Sequence, residues 1–154
     1  GTAGIGGWSL FYILYIWQIS HFLALSWPLR HDYASAGYKM LSGVNPEKLP
    51  LSTFRYCLYH LPFGILTTLA GVTTWPVIVT SSIANAYLVY QGYKFWKKPS
   101  NSNARKLYLT TIWYIPLLML LMFLSKTALD EEEEEEGDDE LIMIQGDKDI
   151  DIKL

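Results

Sequence analysis

The sequence predicts an all-α, polytopic membrane bundle of four transmembrane helices, and three observations predict it. Four apolar stretches occur, each near the roughly 20 residues that a bilayer-spanning helix requires. The connections between them alternate in charge. The chain as a whole divides into a basic body and an acidic tail: residues 1–125 hold nine Lys/Arg against only Asp32 and Glu47, a formal +7, and residues 126–154 hold three Lys against thirteen Asp/Glu, a formal −10. With 51% of residues apolar and 15% aromatic, a membrane body (1–125) followed by a solvated tail (126–154) fits this division better than a soluble globule.

The first span runs from about Ile5 to Trp27. No basic n-region or small-residue cleavage site accompanies it, so it reads as a span and not as a signal peptide. A chain starting at Gly1 is expected to be a fragment of a longer protein. The second span runs from about Phe54 to Val72, the third from about Pro76 to Phe95, and the fourth from about Leu107 to Leu124. Pro62 and Pro116 fall inside the second and fourth and predict kinks, which neighbouring groups in a bundle can accommodate. Trp8, Trp27, Trp75 and Trp96 lie near span ends, where amphipathic rings sit at the headgroup level.

The loops set the orientation. Arg30, Lys39, Lys48 and Arg55 lie in or beside the first connection; Lys94, Lys97, Lys98, Arg105 and Lys106 surround the third; the Thr73-Thr74-Trp75 turn is uncharged. The positive-inside rule places the first and third connections on one side, and the N-terminus, the short turn and the tail on the other. The tail, with six consecutive glutamates at 131–136, has the charge and low hydrophobicity of a disordered segment. Cys57 is the sole cysteine, so no intrachain disulfide and no zinc pattern exist. Nothing indicates nucleic-acid binding, a P-loop or a Ser/Cys nucleophile.

The segment from Trp17 to Met40 carries the chemistry. Trp17 and His21, with Gln18 between them, place polar groups in the first span. Two uses fit them: hydrogen bonds to neighbouring helices, or the lining of a substrate cavity. Haem-iron ligation by His21 is a third. The span opens into Arg30, His31, Asp32 and Tyr33, then Ala36-Gly37-Tyr38-Lys39-Met40. A lone loop aspartate is commonly a cap or turn residue. Here it stands among basic and phenolic side chains at the positive membrane edge, and one or two carboxylates plus substrate phosphates suffice to hold Mg2+. Arg30 and Lys39 have the charge to hold the remainder of a diphosphate. Asn85 lies in the third span among Ser81, Ser82, Ala84 and Ala86. Those small residues fit close helix packing, while the nearby tyrosines also suit a prenyl chain or an allylic cation.

Trp17-Gln18-x-x-His21-Phe22, followed by Asp32-Tyr33-x-x-Ala36-Gly37-x-x-Met40, resembles the haem-farnesylating branch (protohaem IX farnesyltransferases, haem o synthases) of the UbiA-type intramembrane prenyltransferases. The likeness continues through Thr73-Thr74-Trp75-Pro76, Asn85-Ala86-Tyr87 and Trp113 with Pro116-Leu117-Leu118. It implies that the four spans correspond to the last four of about nine helices, and that the loop at 28–50 is the second of two motif loops. Ala36, where the wider superfamily often repeats the aspartate, suits the haem branch. The resemblance implies farnesyl diphosphate and haem b as substrates, Mg2+ bound with the diphosphate, and a place in the mitochondrial inner membrane. It assigns Asp32 to the metal, Lys39, Arg30 and Tyr33 to the departing diphosphate, and Trp17, Gln18, His21, Tyr38 and Asn85 to substrate binding. The first motif loop falls outside this stretch, so the 154 residues alone are expected to be inactive. Two other readings are a channel or transporter subunit, and a prenyltransferase with an aromatic acceptor. Channels and carriers place ionisable groups near mid-membrane, whereas the charge here sits at the edge.

Overall fold

A computed structural model describes residues 4–69, 71 and 73–125. The acidic tail expected from 126 onward lies outside the described residues. Seven helices follow one another: α1 (Ile5–Ser26), α2 (Arg30–Ser35), α3 (Leu41–Val44), α4 (Leu49–Leu58), α5 (Phe63–Leu69), α6 (Trp75–Lys97) and α7 (Asn101–Ser125). No strand occurs among the described residues, in keeping with the expected all-α bundle. The long elements α1 and α7 are each apolar and long enough to cross a bilayer. The 23 residues of α6 have comparable length but a more polar composition.

The second span departs from expectation. In place of one kinked helix over 54–72 there are two helices, α4 and α5, joined at residues 59–62. Pro62 has no N–H to donate and its ring obstructs the preceding turn. The chain therefore tightens, with the amide of His60 donating to the Cys57 carbonyl (3.3 Å), that of Leu61 to Leu58 (3.1 Å) and that of Phe63 to His60 (3.2 Å). Pro62 then opens α5, its carbonyl receiving the Leu66 amide at 2.9 Å. The break leaves two carbonyls without their helical donors, and side chains replace them. His60 Nδ1–H donates to the Tyr56 carbonyl (2.9 Å), and the Tyr12 hydroxyl of α1 donates to that of Tyr59 (2.9 Å). Backbone groups in lipid must be satisfied internally, so Tyr12 and His60 are what make this break tolerable. At Pro116, by contrast, α7 remains helical throughout; the loss there is the single bond to the Ile112 carbonyl.

The bundle closes as a ring. The α4–α5 pair packs against α1 on one side and α6 on the other, and hydrogen bonds from α7 reach both α1 and α6. Lipid supplies no hydrophobic drive between helices, so close packing by small residues carries the contacts. A Cβ placed on Gly92 of α6 would lie 2.8 Å from Cys57 Sγ and 3.1 Å from its Cβ, and one on Gly64 of α5 would collide with Ser81. The ends of the bundle are tied separately. Thr74 N–H donates to Ser125 Oγ (2.7 Å) at the uncharged turn, and Arg30 reaches Asn101 at the opposite, basic end.

Candidate functional site

The first connection builds a short platform at the basic end. Pro28 stands two residues past the last residue of α1, Ser26, and has no N–H to donate back to the Ala24 carbonyl, so the helix stops although Trp27 keeps helical angles (φ −65°, ψ −55°). Trp27 packs edge-on against Phe95 of α6 (5.5 Å, 80°). Arg30 lies over the Trp27 ring at 5.0 Å, donates to the Trp27 carbonyl (2.7 Å) and donates to Asn101 Oδ1 (3.1 Å). Its guanidinium therefore fastens the platform to the start of α7. This contact also puts the first and third connections at one end of the bundle, as their charge requires.

Gly37 terminates α2. Its φ of +81° is a conformation that side-chain-bearing residues rarely adopt. Tyr38 N–H then reaches back to the Tyr33 carbonyl (2.9 Å) and Gly37 N–H to that of Ala34 (3.1 Å), the paired bonds of a Schellman stop. The reversal brings Tyr38 edge-on to Tyr33, with ring centroids 6.2 Å apart. Asp32, in the first turn of α2, is exposed. Among the described residues its carboxylate takes part in no hydrogen bond or ion pair. Lys39 is exposed as well, and Tyr38 is 65% exposed. The platform thus presents a carboxylate, an ammonium and phenols to the same aqueous edge while Arg30 holds it in place.

Within the span, Trp17 and His21 make the interhelical bonds that their types allow. Trp17 Nε1–H donates to the Thr111 carbonyl of α7 at 2.7 Å. The Thr111 hydroxyl donates to the Tyr108 carbonyl (2.6 Å) and lies in hydrogen-bond contact with His21 Nδ1 at 2.8 Å. The His21 ring lies between Trp17 (4.9 Å) and Tyr108 (4.8 Å), about 8 Å along the axis from the end of α1. Gln18 points elsewhere and is exposed; adjacent helical positions lie about 100° apart. Asn85 is fully buried and accepts the Tyr114 hydroxyl on Oδ1.

The platform residues Arg30, Asp32, Tyr33, Tyr38 and Lys39 thus share one short segment, while Trp17 and His21 stand below it against α7 and Asn85 sits within the bundle between α6 and α7. Thr111, Tyr114 and His60 escaped sequence reasoning. A threonine and a tyrosine in an apolar span carry no periodic signal of their own, and His60 gains its purpose only from the break at Pro62. As for Mg2+, no group of three or more metal-binding side chains occurs among the described residues. Asp32 fits as one ligand of a metal held largely by diphosphate oxygens, and not as a complete protein site.

No family model and no solved structure matches the chain. Curated sequences do. The chain is 38% identical over 128 residues to "Protoheme IX farnesyltransferase, mitochondrial" of Gibberella zeae, covering 82% of this chain and 25% of that protein. The Emericella nidulans protein of the same name is 38% identical over 130 residues (84% and 26%), and the human one 36% over 126 residues (82% and 28%). The chain therefore spans about a quarter of the length of the relatives it matches. Over about four fifths of its own length the chain is thus similar to proteins named protoheme IX farnesyltransferase.

Proposed function

We propose that the complete protein to which this chain belongs transfers a farnesyl group from farnesyl diphosphate to a vinyl group of haem b, giving haem o, in the mitochondrial inner membrane. One observation carries the reading: sequence similarity to proteins named for this reaction falls on a chain whose exposed Asp32 carboxylate is left unengaged at the basic membrane edge. In the reaction the allylic C–O bond breaks, the diphosphate departs with the electron pair, and the vinyl group attacks the allylic cation. The attack leaves a cation on the vinyl carbon next to the porphyrin; water adds there and loses a proton, which completes the hydroxyethylfarnesyl side chain. Mg2+, bound with the diphosphate, would supply charge for the departing oxygens.

This chain's residues support that chemistry as follows. Asp32 would hold the metal–diphosphate unit. Lys39, free at the edge, neutralises phosphate charge, and Tyr33 and Tyr38 donate hydrogen bonds to phosphate oxygens. Arg30 faces the same diphosphate while holding the platform on α7. Trp17 and His21 line the path below it, Gln18 stands exposed on a neighbouring face of α1, and Asn85 orients Tyr114 on the α6–α7 wall. The test is haem o formation by the complete protein in membranes supplied with farnesyl diphosphate, haem b and Mg2+. Absence of product would sink the function. Undiminished turnover by an Asp32→Ala variant would sink the site assignment alone.

A further inference from the structure

An open groove of about 550 Å³ runs between α6 and α7. Lys94 and Lys106 stand at its basic end; Tyr87, Leu109, Trp113 and Leu117 line its body. From Lys94 to Ala84, and from Lys106 to Leu117, the walls extend about 15 Å along the helices. That is half of a hydrocarbon core roughly 30 Å thick, so the groove is one leaflet deep. Its lining faces outward, with Trp113 75% and Tyr87 54% exposed. Gln91 donates to the Tyr87 hydroxyl (2.9 Å), leaving that hydroxyl's hydrogen for an acceptor at the polar end. The two carboxylates within residues 4–125, Asp32 and Glu47, both belong to the first connection, so neither lysine has an anionic partner on its own helices.

We propose that this groove binds an anionic phospholipid, with its phosphate between Lys94 and Lys106 and one acyl chain laid along Leu109, Trp113 and Leu117. The charge pattern selects an anion at the depth where headgroup phosphates lie, and the apolar walls end where a leaflet ends. The proposal does not depend on the reaction assigned above.

The test uses the complete protein reconstituted in vesicles containing phosphatidylglycerol with a photoactivatable acyl chain, with labelled sites mapped by mass spectrometry. Labelling is expected on α6 and α7 around Trp113, displaced by unlabelled phosphatidylglycerol more readily than by phosphatidylcholine. A Lys94→Ala/Lys106→Ala variant should lose labelling by on the order of tenfold, and Lys94→Arg/Lys106→Arg should retain it. Displacement by farnesyl diphosphate and not by phosphatidylglycerol would make the groove a substrate channel and overturn the proposal. So would wild-type protein that is unlabelled there because another segment of the protein covers the groove, and so would equal labelling of wild type and the alanine variant.

Discussion

Four polar side chains of the spans and two of the first connection face opposite fates. In the spans, Trp17, His21, Tyr12 and Tyr114 each find a partner on another element: the Thr111 carbonyl, the Thr111 hydroxyl, the Tyr59 carbonyl and Asn85. On the platform, Asp32 and Lys39 are exposed, and the carboxylate is unengaged among the described residues. A polar group in lipid is retained when it repairs a backbone or joins two helices. One at the edge, under no such pressure, is free to meet a ligand. The difference separates residues that hold the bundle from residues left available to a ligand.

Substitutions can break that division or sharpen it. The largest effect is expected from Asp32→Asn in the complete protein, where turnover should fall on the order of a hundredfold or more with the melting temperature unchanged, as a haem o assay beside a thermal-shift measurement would show. Gly92→Leu comes next. It forces side-chain atoms into Cys57, where even a Cβ would lie 2.8 Å from Sγ, and should cost about 3 kcal/mol of stability, measured as earlier unfolding in detergent. Tyr12→Phe strips the Tyr59 carbonyl of its donor and should cost about 1 kcal/mol, with little change in turnover per folded molecule. The smallest effect is expected for Gln18→Leu. Although Gln18 sits beside Trp17, it is exposed, so stability should move by less than about 0.5 kcal/mol. Any change in farnesyl diphosphate KM would then mark Gln18 as a substrate contact.

Much of this arrangement was legible in the sequence. The first, third and fourth apolar stretches reappear as α1, α6 and α7 because composition alone dictates helices in lipid. The basic connections meet at one end, as Arg30 and Asn101 show. The second stretch was harder. Hydropathy averages across Pro62, so a break and a kink look alike until the hydrogen bonds of Tyr12 and His60 are seen. The start of α4 at Leu49, with Pro50 in its first turn, was also hidden, because Pro46, Pro50, Ser52 and Thr53 read as a connection ahead of Phe54. On the platform, Ala36-Gly37-Tyr38 was visible as a motif, but its use was not: the positive φ of Gly37 turns Tyr38 back onto Tyr33. The pairing of Trp17 and His21 with Thr111 joins positions at least 90 residues apart, a distance that no local pattern encodes.

The division between holding and acting residues is tested most directly by measuring haem o formation and thermal stability on the same preparations of Asp32→Asn and Tyr12→Phe. The account predicts a crossed result: Asp32→Asn loses turnover at wild-type stability, and Tyr12→Phe loses stability at near-wild-type turnover. Loss of both properties in Asp32→Asn, or full turnover in that variant, would contradict it.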